Sequence, residues 1–165
     1  MSEVCESELR AALRSESENW KRLGRTNPRL LLETVLAAGV DCIAQPLPLR
    51  FRRRAMKFCF ANAISLARLP SGRLTYCEGY AVRPDIGLRA HHAWVIDAER
   101  RVVDPTWDRP ETCSYLGVPI DLDTYKLVTT GDGEGASVFD SGRGLRLDFM
   151  LQLNPGLADL MKEIL

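Results

Sequence analysis

The sequence contains only two histidines, His91 and His92, and they are adjacent. Any mechanism that uses an imidazole must therefore use one of these two side chains, and a zinc site with two separated histidine ligands is excluded. Cysteine occurs five times, but no two cysteines form a C-x-x-C pair, so a four-thiolate zinc site is not expected. The sequence predicts neither a metal site nor a cofactor.

The chain also lacks a net charge, because 22 Lys and Arg side chains balance 22 Asp and Glu side chains. Nucleic-acid-binding proteins usually carry a basic excess, so we expect no nucleic-acid partner. No stretch approaches the roughly 20 apolar residues of a membrane span, and the acidic N-terminal sequence has no apolar signal-peptide core. We therefore expect a cytoplasmic protein without a membrane partner, whose thiols stay free.

Hydrophobic residues, at 45% of 165 residues, are abundant enough for one core. This length suits a single domain, which needs neither disulfides nor metal ions to fold. Neither an internal repeat nor a low-complexity linker divides the chain. We predict one domain over residues 1–165, with a helical part in 1–50, a core in 51–107 and a completing segment in 108–165.

Helical periodicity marks the first part of the chain. Apolar residues recur at helical spacing over residues 6–23 and 28–38, which predicts two helices. Two prolines within residues 45–49 exclude regular helix there and predict an extended connection. Helical spacing returns over residues 51–69, but the pattern does not decide whether this helix begins at its first residue or just before Cys59.

A period of two then replaces the helical period and predicts β-strands. Short connections make successive strands antiparallel neighbours, so the architecture is α+β, with N-terminal helices packed on an antiparallel sheet. The predicted strands are 74–82, 92–96 and 101–104, with possible strands at 116–120 and 125–128 and a closing helix at 156–165.

His92 begins one predicted strand and Asp104 ends the next, with a hairpin connection at 97–100. Residues at about equal distances from a hairpin turn face each other, and these two share one face of the sheet. A carboxylate beside an imidazole holds it in one tautomer and stabilises its protonated form. We therefore predict a His92–Asp104 pair, whereas His91 points to the other face.

Cys59 is the thiol with the most informative surroundings. A helix N-terminus and a neighbouring imidazolium both favour the nucleophilic thiolate form of a cysteine. Both influences act on Cys59 if the helix begins just before it, but the helix dipole contributes little if the helix begins at Phe51. The other four cysteines are expected to behave as small apolar side chains.

Four short motifs follow one another along the chain. They are Cys59–Leu69 (CFANAISLARL), Glu78-Gly79-Tyr80, His92-Ala93-Trp94-Val95 and Asp104-Pro105-Thr106-Trp107. In order and spacing, these motifs resemble the transglutaminase-like core of the papain-like cysteine peptidase superfamily. The resemblance covers residues 56–107 and implies a papain-like, transglutaminase-like fold. It also implies that Cys59 attacks an amide or ester carbonyl, that His92 is the general base and acid, and that Asp104 orients His92.

The same resemblance implies an oxyanion site made of the backbone N–H of the nucleophile and one upstream side-chain donor. Gln45 is the candidate donor, because its amide can bond to a developing oxyanion. Asn62 lies one helical turn after Cys59 and is either a supporting residue of the site or a cap within the core. Candidates for the substrate groove, which also suit packing, are Trp94, Trp107, His91 and Tyr80.

The resulting hypothesis is a cysteine-dependent amide hydrolase or acyl transferase, of peptidase, deamidase or transglutaminase type, that forms an acyl-enzyme. Its substrate would be a peptide, a protein or a small amide or acyl compound. One alternative is acyl transfer from an acyl-thioester donor, with the run Arg50–Arg54 binding a phosphate on that donor. The same charged run is also typical of a helix face or a turn that is simply exposed to solvent. The other alternative is a catalytically silent binding or effector protein of the same fold.

Overall fold

A computed structural model describes residues 7–23, 30–70, 73–131, 133 and 135–139. In this part of the chain, four helices accompany one antiparallel sheet of five strands, which confirms the α+β class. The helices are α1 (Glu8–Arg22), α2 (Leu30–Ala38), α3 (Cys59–Ala67) and α4 (Leu122–Val128), and the strands are β1 (Val40–Cys42), β2 (Thr75–Arg83), β3 (Leu88–Ile96), β4 (Val102–Val103) and β5 (Ser114–Ile120).

Helices α1 and α2 confirm the two N-terminal helices predicted from periodicity. Helix α1 begins where the Ser7 hydroxyl accepts a hydrogen bond from the backbone N–H of Arg10 at 3.3 Å. Its buried residues Leu9, Leu13 and Ser17 follow one another at intervals of four, so they form a single stripe. This stripe packs against α2 and the sheet.

The sheet order is β1-β5-β2-β3-β4, and all its strand pairs are antiparallel. Strands β2, β3 and β4 form the predicted meander. Strand β5 then returns along β2, and β1 completes the other side. No sequence pattern predicted β1, because three residues are too few to show a period.

The two edges of the sheet approach each other through Ile43, the residue after β1. Ile43 makes a parallel bridge with Arg101 beside β4. Its N–H donates to the carbonyl of Arg100 and its carbonyl accepts from the N–H of Val102, both at 2.9 Å. The sheet is therefore curled, with an outer face and an inner face.

Each face of the curled sheet has its own hydrophobic core. The outer core holds side chains of α1, α2, α3 and α4, so this face supports the helices. The inner core is smaller and lies within the curl. The sheet residues of the outer core are Tyr76, Tyr80, Ala93, Val95, Val103, Leu116, Val118 and Ile120, and the inner core contains Cys77, Ala81, Trp94, Ile96, Val102, Trp107, Cys113 and Tyr115.

The structure decides one alternative that the periodicity left open and shows one prediction to be wrong. Residues 51–58 are not helical; their backbone bonds elsewhere, with Arg54 N–H donating to the Pro105 carbonyl at 2.9 Å. Residues 125–128 belong to α4 instead of a strand, because Asp121 caps that helix by accepting from the N–H groups of Asp123 and Thr124. The predicted helix at 156–165 lies outside the described residues.

Candidate active site

Cys59 is the first residue of α3, so the alternative with a helix beginning at the cysteine is the correct one. Lys57 has a left-handed backbone, with φ of 70°, which turns the chain into the helix. Phe58 is the N-cap, and its side chain makes no capping hydrogen bond. The first N–H groups of α3, including that of Cys59, therefore keep their capacity to bind a negative charge.

His92 and Asp104 form the predicted pair. His92 Nε2 donates to Asp104 Oδ2 at 2.8 Å, and both side chains are almost completely buried. The hairpin register pairs Val95 with Val103, so Asp104 lies diagonally from His92 by two positions. Both side chains nevertheless point to the same face, and a diagonal contact is within their reach.

Three further donors hold the Asp104 carboxylate in place. Its Oδ1 accepts from the backbone N–H of Thr106 at 2.8 Å and, more weakly, from that of Trp107 at 3.4 Å. The Tyr115 hydroxyl donates to Oδ2 at 3.0 Å. Sequence reasoning did not assign Tyr115 to the site, because β5 reaches Asp104 only through the curl of the sheet.

The His92 imidazole is a strong base in this setting. Burial lowers its pKa, but hydrogen bonds with Asp104 and with the Cys59 thiol outweigh burial and raise the pKa from 6.5 to about 9. Since Nε2 bonds to Asp104, Nδ1 is the nitrogen left for the thiol. The Trp107 ring stacks on the imidazole with 4.3 Å between ring centroids, which fixes its plane.

Gly79 lies opposite His92 in the ladder between β2 and β3. A Cβ atom at this position would lie 2.3 Å from the Leu116 carbonyl oxygen and 2.4 Å from the Gly117 Cα atom. Only glycine therefore permits the close approach of β2 and β5 beside the imidazole. The glycine between Glu78 and Tyr80 is therefore required by the packing of β2 against β5 in this chain.

Asn62 supports the site from within α3. Its Nδ2 donates to the Ala55 carbonyl at 2.9 Å and to the Thr106 hydroxyl at 3.0 Å, so both amide hydrogens are engaged. Asn62 thus ties the segment before Cys59 to the loop after Asp104. Of its two predicted roles, the structure favours that of a supporting residue of the site. Because both amide hydrogens are engaged, the side chain has no N–H left to donate to an oxyanion.

Gln45 lies in the extended connection, and its Nε2 donates to the Val102 carbonyl at 2.9 Å. This bond places Gln45 beside β4, the strand that leads to Asp104. One amide hydrogen is used there, which leaves the second for another acceptor. Its oxyanion role stays a prediction.

The predicted groove residues occupy different places. Trp94 is fully buried in the inner core, so its assignment to an open groove is wrong; its indole packs against Gly117. Tyr80 is buried in the outer core. Trp107 is also buried, in the inner core, and its ring stacks on His92, whereas His91 lies on the opposite face of the sheet as expected.

The run Arg50–Arg54 is not one uniform patch. The Arg53 guanidinium donates to the carbonyls of Trp107 and Asp108, and the Arg54 guanidinium donates to the Ser65 hydroxyl. These two arginines fasten the segment before Cys59 to the Asp104 loop and to α3. Arg50 and Arg52 are exposed, and Phe51 is partly buried against the outer core.

A second polar cluster, centred on Glu78, lies on the outer face behind the site. The Glu78 carboxylate is fully buried and accepts from His91 Nε2 at 2.7 Å and from the Tyr76 hydroxyl at 2.8 Å. It also accepts from the Ser137 hydroxyl and from the backbone N–H groups of residues 138 and 139. A charged residue in a strand between Tyr76 and Tyr80, on the same face, is the sequence signal for this cluster.

The raised pKa of His92 predicts a pH-dependent stability. A group whose folded-state pKa is raised contributes its full stabilisation below its unfolded pKa of 6.5, and loses it as pH rises through about 9. We expect the free energy of unfolding, measured with urea between pH 6 and 10, to fall across this window. The fall should be smaller in Asp104→Asn, because the imidazolium then lacks its carboxylate; equal slopes in both proteins would contradict the assignment.

No protein-family model, curated protein or solved structure matches the chain. Within residues 7–23, 30–70, 73–131, 133 and 135–139, no group of His, Cys, Asp and Glu side chains is arranged to hold a metal ion. No helix in the same ranges is long and apolar enough to cross a membrane.

Proposed function

We propose that the protein is a cysteine-dependent amide hydrolase or acyl transferase with a transglutaminase-like, papain-like fold. The observation that carries the proposal is the buried His92–Asp104 pair, together with Cys59 at the N-terminus of α3, close enough to raise the pKa of the same imidazole. It combines a nucleophile at a helix N-terminus, a base and an orienting carboxylate, which is the arrangement needed for covalent acyl transfer.

In the first half-reaction, the thiol proton passes to His92 Nδ1 and the Cys59 sulfur attacks the substrate carbonyl carbon. The carbonyl π electrons move to oxygen, and the helix N-terminus stabilises the resulting oxyanion. The tetrahedral intermediate then collapses to a thioester while His92 returns the proton to the departing amine. The products are the acyl-enzyme and a neutral amine.

In the second half-reaction, water or an acceptor amine attacks the thioester carbonyl, and His92 removes a proton from that nucleophile. The Cys59 sulfur leaves and regains its proton. Asp104 stays ionised throughout and stabilises the imidazolium that forms in each half-reaction. Tyr115 and the Thr106 N–H keep the carboxylate aimed at Nε2.

The test is to trap the acyl-enzyme. The full chain is incubated with a panel of peptide amides, esters and thioesters, quenched in acid and measured by intact mass. We expect an added acyl mass on the wild-type protein, located at Cys59 by peptide mapping, and its loss on addition of an amine acceptor would distinguish transfer from hydrolysis. An acyl group on another cysteine, or a mass that persists in Cys59→Ala, would overturn the proposal.

A further inference from the structure

The segment that leads to Cys59 is rich in positively charged side chains. Residues 42–77 contain seven Arg and Lys side chains and no Asp or Glu, and five of the seven lie between Arg50 and Lys57. All five are exposed. Among the residues that the structure describes, none of the five forms an ion pair with a carboxylate.

The five cations divide into two groups. Arg53 and Arg54 bond to neutral oxygen atoms of the protein, as described above, and therefore have a structural task. The other three are Arg50, Arg52 and Lys57, which we call the free cation cluster. Arg50 lies over the ring of its neighbour Phe51, at 5.0 Å, and no hydrogen bond or ion pair within the described part of the chain engages the three side chains.

The free cation cluster lies on the segment that leads to the reacting groups. Lys57 lies two residues before Cys59. Arg52 precedes Arg53, which binds the carbonyl of Trp107, and the Trp107 ring stacks on His92. Asp108, the carboxylate next to Trp107, is engaged by Arg83 at 3.2 Å. Within the described part of the chain, the positive charge of the cluster therefore remains available to an incoming molecule.

We infer that the free cation cluster binds an anionic group of the substrate, a carboxylate or a phosphate, and holds it beside the thiol during acyl transfer. Guanidinium groups match both anions by paired hydrogen bonds, and clustered charges of one sign raise the local concentration of an oppositely charged substrate. The inference rests on the proposed function and names the substrate class of that site, namely anionic amides or acyl compounds.

The test compares two alkylating reagents of nearly equal size, anionic iodoacetate and neutral iodoacetamide. The quantity measured in the full chain is the alkylation rate of Cys59 by iodoacetate divided by its alkylation rate by iodoacetamide. This ratio is normalised to the same ratio for a small free thiol. In the triple variant Arg50→Gln, Arg52→Gln, Lys57→Gln, we expect this ratio to fall about threefold or more at about 20 mM salt, with most of the difference disappearing at about 0.5 M. The matched control is Lys21→Gln, Arg22→Gln, Lys126→Gln, which removes equal charge from α1 and α4 and should leave the ratio unchanged.

A comparison of anionic and neutral substrates then shows whether the bound anion is a carboxylate or a phosphate. A peptide amide with glutamate beside the reacting residue is compared with its glutamine equivalent, and an acyl thioester with a phosphate in its leaving group is compared with a neutral thioester. A higher kcat/KM for either anionic member, lost in the triple variant, supports the inference and names the source.

The outcomes also separate the inference from the proposed function. If Cys59 reacts with iodoacetamide and forms an acyl-enzyme, but the rate ratio is the same in the wild-type and triple-variant proteins, the inference fails and the proposed function stands. If neither reagent modifies Cys59, the proposed nucleophile is wrong, and the inference falls with it.

Discussion

Replacing Cys59 by alanine is expected to abolish acyl-enzyme formation and to reduce turnover by at least about 10⁴-fold, because no other group can form the covalent bond. Alkylation at neutral pH should disappear from the peptide that contains residue 59. The thiols of Cys77 and Cys113 should not replace it, because burial raises the pKa of both and keeps them protonated. The measurements are single-turnover kinetics and peptide mapping after iodoacetamide treatment.

Cys42 supplies the matched control for this prediction. It is a half-buried free thiol on β1, and its Sγ contacts the Val40 carbonyl at 3.5 Å without a histidine partner among the described residues. Cys42→Ala should therefore retain the turnover and the labelling of the wild-type protein. Faster alkylation at Cys42 than at Cys59 would contradict the nucleophile assignment.

Replacing Glu78 by glutamine is expected to lower the free energy of unfolding by about 3 kcal/mol or more, because it breaks a buried charged network. The carboxylate accepts through both oxygens, from Tyr76, His91 and Ser137 as well as from two backbone N–H groups. A glutamine has one acceptor oxygen, so its NH₂ group would face donors that then lose their partners. Urea denaturation at neutral pH measures the difference.

Two comparisons show whether this effect is structural. Ser137→Ala removes one of the five donors to the carboxylate, together with an acceptor for the Phe139 N–H at 3.1 Å, and should cost less, about 1–2 kcal/mol. Glu78 lies on the outer face, whereas His92 faces the inner side, so the folded Glu78→Gln protein should keep the Cys59 alkylation rate of the wild type. A loss below 1 kcal/mol for Glu78→Gln, or a specific loss of Cys59 reactivity, would contradict this role.

The hairpin between β3 and β4 shows why part of the site was predictable. His92 and Asp104 are 12 residues apart, and alternation along two short strands is enough to put them on the same face. Their exact offset was not predictable, since a register shift of two residues preserves the face of every side chain. The contact was therefore predicted correctly although the pairing is diagonal.

The start of α3 shows a different limit. Helical spacing over 51–69 does not reveal that residues 51–58 bond to the Asp104 loop and to Asn62. Those partners are distant in sequence, and they take the backbone groups that a longer helix would need. The position of Cys59 at a helix N-terminus thus depends on tertiary contacts that no local pattern contains.

The sequence by itself determined the α+β class, the two N-terminal helices, the central meander and the pairing of His92 with Asp104, because periodicity and short hairpins are local properties. Only the tertiary structure decided the curl of the sheet, the contact of Tyr115 with Asp104 and the burial of Glu78. These features join segments far apart along the chain, and which segments meet is set by how all the apolar faces are buried together. The scarcity of histidine left two possible bases, and the fold gave each its own carboxylate, Asp104 for His92 and Glu78 for His91.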